Sequence, residues 1–265
     1  MPTSYSYADI LAAYKAVGVA PGRTVYLLSA MWQLAGYDAG QEKLVQAHFD
    51  AIRELLGHGG TIAVPTGTNN LCNTSTPFDL ERTPGFNHGQ LSEYVRLQPG
   101  ARRSFHPFNS YAAIGVHADE IVAGVSRQSF GPETPEARLL DLDAIQINIG
   151  LPPNINTTVT HVEQVMAVPY RYTKEFLHPV VRSGEIRTEP FYMFVRRLDV
   201  DVERSHCKPL FARFGGRLRI DSAALGRGKI YSYSMRGFFR EASRIFAEDI
   251  YAWCERPPEQ RPFRK

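Results

Sequence analysis

Four polar stretches of this 265-residue chain hold side chains that could do chemistry. In Thr157-Thr158-Val159-Thr160-His161-Val162-Glu163 an imidazole stands two residues before a carboxylate, where a helix is expected to begin. Imidazole takes a proton near neutral pH, so His161 backed by Glu163 would suit an amine that must be deprotonated before attacking an acyl carbon. Residues two apart on a helix face different ways, so that pairing requires His161 in the first turn. The plainer reading is a capping box, Thr160-x-x-Glu163. Residues 102–110 bring together Arg102, Arg103, Ser104, His106, Asn109 and Ser110, donors that fit a phosphate or an amide-bearing chain, or else form a polar surface loop. The loop 29–37 leaves a strand and enters a helix, a place where open α/β sheets bind anions, and also an ordinary connection. Pro65-Thr66-Gly67-Thr68-Asn69-Asn70 leaves another strand, and turn chemistry alone accounts for its Gly and Asn.

The elements that must position these groups follow from periodicity. Tyr7, Ile10, Leu11 and Tyr14 recur at helical spacing before Gly18, and residues 41–56 form a strongly amphipathic helix. The apolar runs 24–30 and 61–66 flank that helix as strands, which makes a βαβ unit and a partly parallel sheet. Residues 67–87 lack periodicity and read as a long ordered loop, usually a functional feature in a compact domain. A helix over 89–96, strands at 110–115 and 142–151, a helix from 157 ending near Pro169, an alternating strand over 190–203 and a helix from Met235 to Cys254 complete the pattern. With no repeat and no composition shift, residues 1–265 read as one domain, with a frayed tail over 256–265.

The composition, 43% hydrophobic and 22% charged, is that of a globular protein, and a chain this long folds without disulfides. Three cysteines with no CxxC argue against a disulfide framework or a cysteine-rich zinc site, and no metal is expected. His206-Cys207 suggests a thiol nucleophile only weakly, since no partner is assigned. No leader-like start and no membrane-length apolar run is visible, so a cytoplasmic location is expected. The net charge of +3 is spread among scattered arginines rather than a basic stripe, which disfavours nucleic acid and favours a small anionic ligand. Dinucleotide, P-loop, zincin and serine-hydrolase signatures are all missing.

Taken together, the segments resemble the antibiotic N-acetyltransferase family, that of the aminoglycoside 3-N-acetyltransferases. VYLLSAMWQLAGYDAG, GGTIAVPTGT, the long FDLERTPGFNHGQLSEYVRLQPGARRSFHPFNSYAAIGVHADEI, and GPETPEARLLDLDAIQINIGLPPNINTTVTHVE follow the family's motifs in one unbroken order. GRGKIYSYSMRGFFREASRIF is similar to its closing helix. The resemblance implies an α/β fold with a mixed central β-sheet flanked by helices, distinct from the GNAT acetyltransferases. It also implies acetyl-CoA as co-substrate and a small-molecule amine as acceptor. By position, coenzyme A would lie against Ser29, Ala30, Met31, Leu34, Arg103, Ser104, His106, Asn109 and Ser110, and the acceptor against Thr66, Thr68, Asn70 and Thr160. The family's HxxE pair places Thr160 where its histidine stands, with His161 one residue later, so His161 with Glu163 is the expected base and His106 the next candidate. The basic chain points to an amino sugar or nucleotide-linked amino sugar as acceptor, with an aminoglycoside as the alternative. A coenzyme A-binding protein without catalysis and a hydrolase using His161 to activate water remain as rivals, and a homodimer is compatible with the sequence.

Overall fold

The computed structural model describes residues 4–197, 203–204 and 207–260. The N-terminal half alternates helix and strand. Helix α1 (Tyr7–Ala16), capped by a Ser6–Asp9 capping box, precedes strand β1 (Thr24–Ser29). Helix α2 (Leu44–Leu56) and strand β2 (Thr61–Pro65) follow. Helix α3 (Gln90–Arg96), the two-residue β3 (Arg102–Arg103), β4 (Tyr111–Gly115), and the short helices α4 (Ala118–Val122) and α5 (Pro135–Asp141) lead to β5 (Ile145–Ile149). The C-terminal half comprises helix α6 (Thr158–Val165), a long hairpin of β6 (Arg171–Arg182) and β7 (Glu185–Arg196), β8 (Glu203–Arg204) and α7 (Lys208–Arg213). It closes with β9 (Asp221–Leu225), β10 (Gly228–Ser234), α8 (Met235–Glu248) and β11 (Cys254–Arg256).

The central sheet has seven strands in the order β3-β4-β2-β1-β5-β10-β9. β1 runs parallel to β2 and β5, and the flanking pairs are antiparallel, so the sheet is mixed as expected. Buried strands read as continuous apolar runs, and β1 and β2 do. One face packs Val25, Leu27, Ile62 and Ile147 against α1, α2 and α3. The other packs Tyr26, Tyr111 and Ala63 against α4, α5 and the start of α8. The hairpin forms a satellite layer, where Val180 and Phe191 seal onto Phe78 and Phe108.

Periodicity found β1, β2, β4, β5, α1, α2, α3, α6 and α8 and missed β6, β9 and β10 among others. The hairpin extends from 171, well before the expected 190; residues 198–202 of the expected strand lie outside the described residues. β10 was hidden within the stretch resembling the closing helix. Arg256 pairs with Glu203, so the tail expected to fray is ordered at its start, while residues 261–265 lie outside the described residues. Among the described residues no helix is long and apolar enough to cross a membrane.

Candidate active site

The parallel strands β1, β2 and β5 end together, and the polar loops gather at that edge. Behind β5, Gln146 and Asn148 are buried side by side and use their amides to tie down the following loop. Asn148 Nδ2 donates to Pro152 O (2.7 Å) and Ile155 O (2.8 Å), and Gln146 Nε2 donates to Asn148 Oδ1 (2.7 Å). Asn156 then starts α6: its Oδ1 accepts from the Val159 N–H at 2.8 Å. The helix therefore begins at Thr158 rather than after a Thr160 cap, and the capping-box reading is corrected.

The pairing of His161 with Glu163 is corrected too. Both lie inside α6, on faces two residues apart. Glu163, fully buried, forms an ion pair with Arg171 Nε at 2.5 Å, with the Tyr170 hydroxyl also against it. His161 is buried, its ring packs against Phe239, and its Nδ1 accepts from the Gly131 N–H at 3.3 Å. That bond occupies Nδ1 and leaves Nε2 as the protonated nitrogen of the neutral ring. Burial lowers its pKa to about 4. Thr160, at the position of the family histidine, is half-buried.

His106 is also occupied on both sides. Nδ1 accepts from the Phe108 and Asn109 N–H groups (3.2 and 3.0 Å), and Nε2 donates to Arg127 O (3.2 Å), with burial lowering its pKa to about 4. It shapes the turn of its own loop. Arg103 is a strut. Nε reaches the hydroxyls of Thr66 (3.2 Å) and Ser110 (3.1 Å), and the terminal nitrogens donate to the carbonyls of Leu80 (3.1 Å), Thr83 (2.6 Å) and Thr66 (2.7 Å). Ser104 and Ser110 are fully buried; Ser104 Oγ accepts from Tyr111 N at 2.9 Å. Asn109 donates to Ser129 O at 2.5 Å. The side chains of 103–110 expected to meet coenzyme A are thus spent on the protein itself.

On the β1 side the expectation divides. Met31 and Leu34 face the core, while the intervening Trp32 is 73% exposed, a large apolar ring that spacing alone did not single out. Ser29 Oγ is buried without a hydrogen-bond partner among the described residues. Against it lies Gly89 at φ +83°, where a Cβ would come within 2.8 Å of Ser29 O. Next to Gly89 a pocket of about 290 Å³ is lined by Thr66, His88, Gly89 and Ser92 among others. Of the acceptor set, Thr66 lines this pocket. Thr68 is buried and donates to Pro107 O, and Asn70 is exposed on the neighbouring surface.

His88 is the residue the sequence reading missed. Its Nε2 donates to Gly67 O at 3.1 Å, which leaves Nδ1 as the unprotonated nitrogen. No other partner holds the ring among the described residues, and it lines the pocket. Burial lowers its pKa below the ordinary imidazole value, with Arg103 adding to the effect. The signal available was the dipeptide His88-Gly89 within the long loop. Across the sheet edge a second polar cluster anchors α6: Tyr26 OH meets Thr157 Oγ1 at 3.0 Å, and Tyr111 OH donates to the fully buried Glu136 at 2.5 Å. Burial raises the Glu136 carboxyl pKa, so the cluster favours an uncharged acid.

A seven-stranded mixed sheet flanked by helices, with polar loops at the ends of its parallel strands, defines an α/β class of fold. The family model described as aminoglycoside 3-N-acetyltransferase matches residues 29–247, and the chain belongs to that family. Among curated relatives, aminoglycoside N(3)-acetyltransferase VII of Streptomyces paromomycinus is 29% identical over 192 residues, 64% of this chain. Aminoglycoside N(3)-acetyltransferase IV of Salmonella sp is 28% identical over 214 residues, 80% of this chain. The chain spans 64% of the length of the first and 74% of the second. The crystal structure of aminoglycoside acetyltransferase AAC(3)-Xa superposes with a TM-score of 0.81 at 21% identity, covering 92% of this chain and 93% of that one. AAC-IIIb, in a binary complex with CoASH, superposes at 0.79 with 17% identity, covering 96% and 99%. At these identities the solved structures establish the fold, mixed α/β and distinct from GNAT.

Proposed function

We propose that this protein transfers the acetyl group of acetyl-CoA to an amine of an amino-sugar acceptor, aminoglycosides being the first class to test. The observation that carries the reading is the His88 ring, held through Nε2–H by Gly67 O, on a residue that lines a pocket together with Thr66 and Gly89. The family supports coenzyme A as donor, and the names of the relatives support an aminoglycoside acceptor over a nucleotide-linked amino sugar. The Ser29 hydroxyl and the bare backbone at Gly89 suit a chain carrying amide and thioester groups.

In this mechanism the acceptor amine loses its proton to His88 Nδ1 as its nitrogen attacks the thioester carbonyl. The carbonyl oxygen gains negative charge, which neighbouring N–H and hydroxyl donors stabilise. The C–S bond breaks, and the departing thiolate takes the proton back, leaving amide and free coenzyme A. A neutral base at neutral pH is what burial of His88 provides.

The test is release of coenzyme A thiol from acetyl-CoA with and without aminoglycosides, for the parent protein and for His88→Gln and His161→Ala. Loss of transfer in the first with donor binding intact, and turnover retained in the second, is the expected result. Thr160 at the family histidine position favours one other reading, coenzyme A binding without transfer; it predicts donor binding but no release with any amine.

A further inference from the structure

A second cavity, about 530 Å³, lies at the opposite edge of the sheet, where β1 and β5 begin and β10 ends. Arg23, Arg217, Arg219, Arg236 and Arg240 line it with Asp143 and Asp221, a net charge of +3 for the lining, with Arg240 paired to Glu241 just outside it at 3.1 Å. The whole chain also carries +3, so this groove concentrates as much positive charge as the entire surface nets. Its acids are already engaged: Asp221 with Arg219 at 3.0 Å, and Asp143 with the Ser234 hydroxyl at 3.2 Å and Arg236 at 4.0 Å. The side chains of Arg23 and Arg217 have no ion-pair or hydrogen-bond partner among the described residues. The 14-residue helix α8 starts at the same place with no acid in its first turn, adding the positive end of its dipole.

Guanidiniums gathered around one cavity repel one another unless an anion sits between them. Arginine's planar fork matches phosphate oxygens in pairs. The groove also has an apolar floor of Val17, Ile145 and Leu218, which suits a ring or sugar more than bare inorganic phosphate. Its volume falls in the range of small-molecule sites. The charge is confined to one hollow rather than drawn into a stripe, which favours a small molecule over a polynucleotide. We propose that this groove binds a nucleotide-sized ligand carrying a pyrophosphate, at a site separate from the candidate transfer site.

The experiment is calorimetric titration of the full chain, at fixed ionic strength, with ADP, inorganic pyrophosphate and a single-stranded oligonucleotide of roughly 20 residues. It is repeated with Arg23→Ala, Arg217→Ala and Arg217→Lys, and with saturating coenzyme A present. Both arginines are exposed, so the variants should melt at the parent temperature without ligand. Saturable one-to-one ADP binding is expected, weakened about tenfold by each alanine and less by lysine, tighter than pyrophosphate, and undisturbed by coenzyme A. Four results would overturn the proposal: no saturable binding, equal affinity in the alanine variants, displacement of ADP by coenzyme A, or a preference for the oligonucleotide.

Discussion

At the scale of single residues, what separates the histidines is which ring nitrogen is free. His161 and His106 have Nδ1 taken by backbone N–H groups, whereas His88 gives up Nε2 and keeps Nδ1. His88→Gln should lower turnover by about 10²–10⁴-fold, the usual contribution of a positioned base, with donor affinity unchanged. Single-turnover rates beside equilibrium binding of acetyl-CoA would separate the two effects. The pH profile carries a sign. Because burial lowers the His88 pKa, the base is already neutral at pH 7, and the rate should fall only as pH drops below the ordinary imidazole value of about 6.5. An inflection above that value would contradict the assignment. None of this was legible beforehand, because sequence displays an imidazole but not the carbonyl that fixes its tautomer. In the sequence His161 stands close to Glu163, but the fold pairs Glu163 with Arg171 instead.

At the scale of elements, the site depends on close backbone approaches and on one buried guanidinium. Gly89 links the long loop to α3, with a positive φ and no room beside Ser29. Gly89→Ala should cost about 1–3 kcal/mol and weaken donor binding, read from chemical denaturation and titration. Arg103 binds the loops at 66, 80, 83 and 110 to one another, so Arg103→Ala should destabilise the protein by about 2–4 kcal/mol. A variant that loses coenzyme A affinity while keeping its full stability would restore Arg103 as a ligand. Strands β1 and β2 and helix α2 were plain in the sequence because their burial pattern is written in apolar residues. The hairpin strand β6 was not, since only two of its twelve residues are buried and its alternation carries little hydrophobic signal.

For the whole molecule, buried neutral histidines couple stability to acid. His48, His106 and His161 have pKa values lowered by burial to about 3, 4 and 4. The unfolded chain binds protons at these groups from about pH 6.5 downward while the folded chain does not, so stability is lost as pH falls from 6.5 toward 4. All three act in the same direction, so the melting temperature should fall as pH drops below 6. A flat profile from pH 7 to 4.5 would show that these rings are not held neutral. The family and the sheet were readable from motif order; the base and the donor contacts required the folded edge of β1, β2 and β5. The central claim, amine-dependent acetyl transfer, is met most directly by following thiol release from acetyl-CoA with aminoglycosides and amino-sugar nucleotides supplied in turn. Release that requires an aminoglycoside amine, with an N-acetylated product, is the expected result. Release without any acceptor, or none with any amine despite bound donor, would contradict it.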